Sequence, residues 1–284
     1  MKPRQVTIRD IAREANVSIA TVSNVINNKG RVSEETRALV EKLITKYNYT
    51  PNFAARSLKN KNSHLISVVV PYLTKGEFED NPFFWQVMSG IESGASSKNF
   101  HVMLSAMSNS PDMAFVKERQ LDGIVVVGVH ESSEHYRAIL ELNIPCVFLD
   151  SFISDPEVYQ VNSDDRWGGY LGTRYLVSLG YDRIILVSGV EREIDETFRV
   201  IYQRWSGYKQ ALEEANIPYR PELVIKAGNT MLGGYHAAQK VVGLLDKKTA
   251  IFVLSDIAAM GLIRGLNELG ISVPSDVSVM GYDD

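Results

Sequence analysis

The sequence predicts an all-α bundle at the N-terminus followed by a larger α/β body built from doubly wound parallel sheets. In the first 50 residues, three short helical patterns follow one another, with a tight turn between the first two. Beyond residue 62, short β-branched apolar runs alternate with amphipathic helical stretches, a pattern typical of strands covered by helices on both faces. With 284 residues and 45% hydrophobic content, the chain is long enough to bury a sizeable core.

The three N-terminal helices have recognisable start signals. Thr7 precedes the first helix, predicted over 8–15, and an acidic residue three positions on completes a near match to a capping box. Ser18 and Ser33 are the predicted N-caps of the second and third helices, and "ANVS" forms the turn between the first two. The second helix carries small polar residues at its N-terminal end, where a recognition helix meets base edges. We therefore predict a helix-turn-helix unit; the alternative is a bundle that only holds a partner or caps the body.

Positive charge is concentrated in this part of the chain. Residues 1–62 hold twelve Lys or Arg against five Asp or Glu, a net charge of +7, and the remainder carries −11, so that the whole chain carries −4. The sequence-independent part of DNA affinity comes from cations that displace the counterions of phosphate. We therefore expect the N-terminal bundle, and not the acidic body, to approach a nucleic acid.

A short polar segment joins the bundle to the body. The stretch "TPNFAARSLKNKNS" opens on a proline–asparagine start signal, continues with a helix of barely two turns and ends in a polar linker. A helix that short is unstable in isolation. We expect it to fold only when another surface packs against it.

The body alternates strands and helices. Strands are predicted at the apolar runs "LISVVVP", "HVMLSA", "GIVVVGV", "PCVFLD", "RIILVSG", "LVIKAG", "AIFVLS" and "VSVMGY". Helices are predicted at 84–99, 132–142, 168–180, 204–216, 233–246 and 257–270. Such sheets bind ligands beyond the carboxyl ends of their strands. Polar residues follow several of the predicted strands: Asp150, Ser255, Asp256, Asp283 and Asp284.

Several functional classes lack their signatures here. No G-x-G-x-x-G follows a strand, and neither a Walker A sequence nor a G-x-S-x-G elbow occurs, so no catalytic residue or cofactor is predicted. His130 and His135 are five positions apart and do not share a helical face as a zinc pair would, so no metal site is predicted. Cys146 lies in an apolar run typical of a buried strand. Without a long apolar run or the apolar centre of a signal peptide, we expect a cytoplasmic protein with no membrane partner.

The sequence resembles the LacI/GalR family of bacterial transcriptional regulators. The resemblance is carried by "VTIRDIAREANVSIATVSNVIN", "RVSEETR", "YTPNFAARSL", "NPFF", "LDGIVVV", "GYDRIILVSG", "SDIAAMG" and "VPSDVSVMGYDD", in the family's order over nearly the whole chain. It implies a helix-turn-helix DNA-binding domain at 1–48, a hinge helix and linker at 49–62, and two periplasmic-binding-protein-like subdomains at 63–162 and 163–284. It also implies a homodimeric repressor of carbohydrate-use genes that binds double-stranded operator DNA and a small effector, a sugar or a related compound.

The family pattern assigns DNA contacts within the bundle. Ile19, Ala20 and Asn24 match base-reading positions; many members carry Arg at the last of these, where Asn favours adenine and Arg favours guanine. Family positions that contact phosphate, or that cap a helix end pointing toward it, are matched by Thr7, Ser18, Thr21, Ser23, Asn27, Arg31 and Asn52.

The resemblance also assigns the hinge. Two hinge helices of a dimer would lie together in the minor groove, where Leu58 is the expected apolar wedge that kinks the duplex and Ala55 allows close approach of the pair. Arg56 is a further expected DNA contact. Effector binding would shift the subdomains and so change the separation of the two hinges, which is a population shift between two dimer states.

Residues at effector-binding positions of the family complete the prediction: Phe83, Phe84, Asp150, Arg204, Asp256 and Asp283. Carboxylates and a guanidinium suit the vicinal hydroxyls of a sugar, and aromatic faces suit its C–H surface. Each assignment has a structural alternative: a helix N-cap for the aspartates, an internal ion pair for the arginine and ordinary core for the phenylalanines.

Two alternative functions are compatible with the sequence. Relatives in the family continue past "GYDD" through a last crossover, so one alternative is a shortened regulator that binds DNA without effector control. The other is a sugar-binding α/β enzyme that keeps a DNA-binding head. An effector-controlled regulator should gain thermal stability from its own ligand, whereas a shortened one should not.

Overall fold

The computed structural model describes residues 6–49, 62–70, 82–107, 111–190, 193–194 and 199–283. The chain divides into two compact units, Met1–Ser63 and His64–Asp284. Within the described ranges, the first unit contains helices and no strand, and the second contains two parallel sheets flanked by helices. The predicted fold class, a helical N-terminal bundle followed by an α/β body with parallel sheets in two subdomains, is confirmed.

Three short helices build the N-terminal unit around one core. They are α1 (Ile8–Glu14), α2 (Ile19–Ile26) and α3 (Glu34–Lys46). Each contributes a fully buried side chain, namely Ile11, Val22 and Val40. Burial of one such side chain stabilises the fold by about 1.5–3 kcal/mol. The packing of the three helices against one another therefore compensates for the low intrinsic stability of such short helices.

The predicted start signals of these helices are present. The Ser18 hydroxyl accepts a hydrogen bond from the Thr21 amide at 3.0 Å, and the Ser33 hydroxyl accepts one from the Thr36 amide at 3.3 Å. At α1, the Thr7 amide donates to the acidic residue three positions on at 3.0 Å, which is the reciprocal bond of a capping box. These bonds satisfy backbone groups that would otherwise lack a partner at the helix ends.

The first sheet of the second unit has the strand order β2-β1-β3-β4-β5, with all strands parallel. Its strands are β1 (Leu65–Val70), β2 (His101–Ala106), β3 (Gly123–Val127), β4 (Cys146–Leu149) and β5 (Gln160–Val161), and its helices are α4 (Pro82–Ser97), α5 (Ala114–Glu118) and α6 (Glu134–Leu140). One face packs with α4 around Val68 and Phe84, and the other packs with α5 and α6 around Val126 and Phe148. β5 was not predicted, because two residues carry no periodic pattern.

The second sheet has the order β7-β6-β8-β9, again all parallel. Its strands are β6 (Arg183–Val187), β7 (Val224–Ile225), β8 (Thr249–Val253) and β9 (Ser278–Met280); its helices are α7 (Asp165–Ser178), α8 (Arg199–Glu214), α9 (Met231–Val242) and α10 (Asp256–Glu268), with a 3₁₀ turn at Pro221–Leu223. Neighbouring Ile184 and Ile185 lie in the cores on opposite faces, toward α7 and α8 and toward α9 and α10 respectively. No helix of the described ranges is both long and apolar enough for a membrane span.

Three helices of the second sheet begin earlier than their apolar periodicity predicts. The predicted starts were 168 for α7, 204 for α8 and 233 for α9, and the observed starts lie upstream of each. Side chains cap two of them: Asp164 accepts from the Trp167 amide at 3.0 Å, and Thr230 accepts from the Gly233 amide at 2.9 Å. Periodicity marks the buried face of a helix, whereas the helix itself begins at its cap.

Helices α7 and α8 touch backbone to backbone through glycines. A Cβ atom at Gly169 would lie 2.0 Å from the carbonyl oxygen of Arg204, and one at Gly207 would lie 2.0 Å from that of Arg166. No larger residue fits at either position without moving a helix. This close approach brings the start of α7 against Arg204.

Candidate DNA interface and ligand cavity

The N-terminal end of α2 forms an exposed surface of small and apolar residues. Ser18, Ile19 and Ala20 are exposed there, and Ile19 keeps 46% of its surface accessible although it is a large apolar residue. Asn24 lies one turn further along and is half-buried; a Cβ atom at Gly30, which adopts a φ of +73°, would lie 3.1 Å from its side-chain nitrogen. An exposed isoleucine next to a polar cap is unexpected on a helix that only supports a core, and it fits a helix that enters a groove.

Six of the seven predicted phosphate-contacting residues lie within the described part of the N-terminal unit. Thr7 and Arg31 are exposed, the first at the start of α1 and the second in the loop before α3. Local hydrogen bonds orient the other four: the hydroxyls of Ser18 and Thr21 lie 2.9 Å apart, and the side-chain amide of Asn27 donates to the Ser23 carbonyl at 2.7 Å. Capped helix N-termini present amide groups and positive dipole ends, which suit phosphate.

The predicted hinge contacts are Asn52, Ala55, Arg56 and Leu58. They lie outside the residues that the structure describes, so these assignments stay predictions.

A cavity of about 200 Å³ lies where the carboxyl ends of the two sheets face each other. Five of the predicted effector residues line it: Phe83, Phe84, Asp150, Arg204 and Asp283. They come from the start of α4, the end of β4, helix α8 and the segment after β9. The structure therefore brings together residues that are up to 200 positions apart in the chain.

Arg204 is held rigidly at the edge of this cavity. Its Nε donates to Oδ1 of Asp165 at 2.8 Å, and its Nη1 donates to the Leu254 carbonyl at 2.6 Å and to Oδ1 of Asp283 at 3.3 Å. The Tyr282 ring stacks on the guanidinium, with its centroid 3.6 Å from Cζ. Arg204 therefore forms an internal ion pair, which was the structural alternative to effector binding, and it also lines the cavity. The two roles are compatible.

Asp165 is the buried anchor of this arginine. Its side chain is 1% exposed, and its Oδ2 has no hydrogen-bond partner in the described part of the chain. Burial raises the pKa of Asp165, and the neighbouring Arg204 opposes that rise. Burial likewise raises the pKa of Tyr282 to about 12. The guanidinium is thus positioned by a carboxylate with little access to water.

Asp150 occupies a bend and is not a helix cap. It follows β4 with a φ of +49°, in the left-handed region, and the next strand is β5. The pKa of Asp150 is raised mainly by burial and, to a smaller extent, by the nearby Asp165 carboxylate. The bend directs the chain so that this carboxyl group lines the cavity between the sheets.

Asp256 lies outside the cavity lining. It opens α10, and its Oδ1 accepts from the Tyr282 amide at 2.9 Å, while its own amide donates to Asp283 at 3.2 Å. A Cβ atom at Gly281 would lie 1.8 Å from that Oδ1. These contacts hold the segment after β9 in place, and through that segment they position Asp283.

Apolar side chains also line the cavity. Phe83 and Phe84 meet edge to face with centroids 5.3 Å apart, and Val200 and Ile201 of α8 complete the apolar part of the lining. Phe84 is also packed in the core under α4. Phe84 is therefore both a core residue, as the structural alternative proposed, and part of the cavity lining.

Sequence reasoning missed two polar residues of the site. Asn229, which follows β7, lines the cavity, and its Oδ1 is buried without a partner in the described part of the chain. The strand-end rule that found Asp150 would also have found Asn229. Asp165 carried no such signal, because it opens a helix and meets Arg204 only through tertiary packing.

A second cavity, of about 230 Å³, adjoins the first and shares Asp150 with it. At its rim, Arg199 at the start of α8 pairs with Glu131 after β3 at 2.8 Å. The Ser154 amide also donates to Glu131 at 2.8 Å, and this bond is the main reason why the pKa of Glu131 is lowered. This ion pair links the segments that flank the two sheets.

No group of three His, Cys, Asp or Glu residues within the described ranges is arranged to hold a metal ion. Cys146 is half-buried in β4, and burial raises the pKa of its thiol to about 12. A thiol with so high a pKa is protonated at neutral pH and is a poor nucleophile.

Comparison with known proteins assigns the family. Residues 7–52 match the family model described as bacterial regulatory proteins of the lacI family, and residues 63–284 match periplasmic binding proteins and the sugar binding domain of the LacI family. The chain belongs to the LacI family. It is therefore a bacterial transcriptional regulator, and the enzyme alternative is set aside.

Relatives and solved structures agree with this assignment. The ribose operon repressor of Haemophilus influenzae is 30% identical, and catabolite control protein A of Priestia megaterium is 31% identical; each match covers 98% of this chain and 82% of the relative. A lac repressor dimer bound to operator and the anti-inducer ONPF superposes with a TM-score of 0.84 at 26% identity, covering 99% of this chain and 83% of that one. A LacI-family regulator of Enterococcus faecium with bound ribose gives a TM-score of 0.64 at 31% identity over 78% of each chain.

Proposed function

We propose that this LacI-family chain is a sugar-responsive repressor of carbohydrate-use genes that acts in the cytoplasm as a homodimer on operator DNA. The observation that carries the proposal is the cavity at the facing carboxyl ends of the two sheets. It combines an aromatic wall with a fixed guanidinium and two carboxyl groups, which is the chemistry that a sugar requires. The ribose operon repressor among the relatives and the regulator with bound ribose support this choice of ligand.

In the proposed complex, α2 of each protomer enters the major groove of one half-site. Ile19, Ala20 and Asn24 meet base edges, and phosphate contacts come from Thr7, Ser18, Thr21, Ser23, Asn27, Arg31 and Asn52. The exposure of Ile19 and Ala20 supports the groove-facing role. The net charge of +7 over residues 1–62 supplies the attraction to phosphate.

Effector binding would act by changing the position of one sheet relative to the other. A ligand that contacts Phe83 and Asp150 on one side and Arg204 and Asp283 on the other favours the arrangement in which all four groups reach it. The distance between the two hinge segments of the dimer would then change. In each proposed hinge, Leu58 is the minor-groove wedge, Ala55 lies at the contact between the two hinges and Arg56 lies beside the DNA. A ligand shifts this equilibrium only by its difference in affinity for the two states.

The effector site can be tested in the chain itself. Differential scanning fluorimetry with neutral pentoses, hexoses and disaccharides should find one sugar that raises the melting temperature in a concentration-dependent way, because binding stabilises the folded state by RT ln(1 + [L]/Kd). Arg204→Met should abolish this rise. A sugar that stabilises the variant as much as the parent chain would show that it binds elsewhere.

The DNA function needs its own experiment. Selection of random duplexes by the purified chain at physiological salt should enrich a palindrome with a flexible pyrimidine–purine step at its centre, where the hinge wedge would insert. Enrichment of a single half-site, or of no sequence, would contradict the dimeric, hinge-inserting repressor.

A further inference from the structure

The charge of the cavity restricts the class of effector. Among the described residues that line it, Arg204 is the single cationic side chain, while Asp150 and Asp283 are acidic. Arg204 is already paired with Asp165 at 2.8 Å and with Asp283 at 3.3 Å. Its positive charge is therefore balanced before any ligand enters.

The adjoining cavity does not change this balance. Its cation, Arg199, is 19% exposed and pairs with Glu131 at 2.8 Å. His130 also lies at this rim, where its Nδ1 is 2.7 Å from the Ser132 hydroxyl. An anionic group in the first cavity would have to displace a partner of Arg204 or remain unpaired close to Asp150. Arg199 keeps one buried donor, Nε, without a partner in the described part of the chain, but Arg199 is not part of the lining of the first cavity.

The hydrogen-bonding groups of the cavity point to a donor-rich ligand. Oδ1 of Asn229 is buried without a partner in the described part of the chain, and an unsatisfied buried acceptor destabilises the structure that contains it. A ligand hydroxyl donates a hydrogen bond to such an acceptor, whereas fully ionised phosphate and carboxylate groups offer only further acceptors. The apolar part of the lining, to which Phe83, Phe84 and Ile201 contribute, penalises the burial of any unpaired ion.

Building on the proposed function, we propose that the effector is an uncharged polyhydroxylated compound. In this proposal, Asn229 is a specificity-determining residue whose Oδ1 accepts a hydrogen bond from one of the ligand hydroxyls, and Asp150 rejects phosphorylated and carboxylated counterparts. The neutral ligand binds with its C–H surface on the phenylalanines. Its hydroxyls satisfy Asn229 and Asp150 on the polar side.

Matched ligand pairs test the discrimination. The full chain is titrated by calorimetry with D-ribose against D-ribose 5-phosphate, D-glucose against D-glucose 6-phosphate and D-galactose against D-galacturonate, and with further neutral sugars alongside their charged counterparts. We expect the neutral member to bind at least about tenfold more tightly than its anionic counterpart. Equal or tighter binding of an anionic member overturns the inference but leaves a sugar-type effector in place. Binding of neither member of any pair overturns the proposed effector control and this inference together.

Variants separate the two residues. Asp150→Asn removes the charge and keeps a residue type that tolerates the left-handed φ at this position, so the preference for the neutral member should fall by about tenfold or more. Asn229→Leu removes the acceptor and keeps the same number and branching of side-chain heavy atoms, and it should weaken neutral-sugar binding by about tenfold or more. Asn267→Leu on the exposed face of α10 should leave neutral-sugar binding unchanged. If Asp150→Asn keeps the full preference, or Asn229→Leu binds like the parent chain, the assignment of that residue is wrong. Circular dichroism melts check that each variant is folded.

Discussion

The buried ion pair between Arg204 and Asp165 should respond to mutation in a strongly non-additive way. Removing one partner of a buried pair typically costs about 3–5 kcal/mol, because the other charge stays buried and unpaired. After Asp165→Asn, the guanidinium keeps the Leu254 carbonyl at 2.6 Å and Asp283 at 3.3 Å, and it is 14% exposed. We therefore expect a loss near the lower end of that range, about 3 kcal/mol.

A double-mutant cycle measures the coupling. Asp165→Asn, Arg204→Met and the double variant are unfolded in urea, with circular dichroism as the readout. Replacing the whole pair leaves no unpaired charge in the interior, because Asp283, which also loses its contact with Arg204, is 39% exposed. The double variant should therefore be more stable than the sum of the two single losses predicts, by at least about 2 kcal/mol. Arg174→Met in the exposed pair with Glu214 is the control and should barely move the urea midpoint. Additive losses from Asp165→Asn and Arg204→Met would refute a coupled, buried pair.

Three further predictions concern the DNA interface, pH and helix packing. Asn24→Ala should cost about 1–3 kcal/mol of DNA affinity at one base pair per half-site, as measured by anisotropy on operator variants; a uniform loss across all variants would make Asn24 a phosphate contact instead. The pKa of Glu131 is held below its ordinary value of 4.5, so its stabilising contribution is present at neutral pH and is lost as the pH falls through the folded-state pKa. Urea midpoints between about pH 6 and about pH 3 should accordingly fall less steeply in Glu131→Gln than in the parent chain, and parallel curves would contradict this. Gly207→Ala, which places a Cβ atom 2.0 Å from a carbonyl oxygen, should destabilise the chain by about 1–3 kcal/mol or more. Gly94→Ala, whose Cβ atom would have nothing within 4 Å, should be neutral or stabilising in the same urea assay. Similar losses of stability in both variants would show that the close contact between the helices is not the cause.

Local signals in the sequence were sufficient for the fold class. Ser18 and Ser33 cap helices because a short hydroxyl side chain reaches the amide three residues ahead, a contact set by the neighbouring chain alone. Parallel sheets buried on both faces produce apolar runs such as β3 and β8 that differ little from one another, so their alternation with helices was readable without knowing which strands pair. The two-residue strand β5 had too little sequence to be recognised.

The polar site was predictable only in part. Asp150 and Asp283 were found because they stand after strands, where parallel sheets collect ligands. Asp256 stands at the same edge, yet its carboxylate accepts from the Tyr282 amide instead of lining the cavity. The contact of Asp165 with Arg204 depends on the glycine-mediated approach of α7 to α8, a tertiary feature that no local pattern encodes.

The measurement that tests the account most directly is the affinity for the selected palindromic duplex with and without the sugar that stabilises the chain. Fluorescence anisotropy at fixed physiological salt gives both dissociation constants. The account predicts that saturating sugar changes the constant by about 5- to 150-fold, and that Arg204→Met, although it still binds the duplex, no longer responds. An unchanged constant in the presence of a sugar that demonstrably occupies the cavity would contradict it.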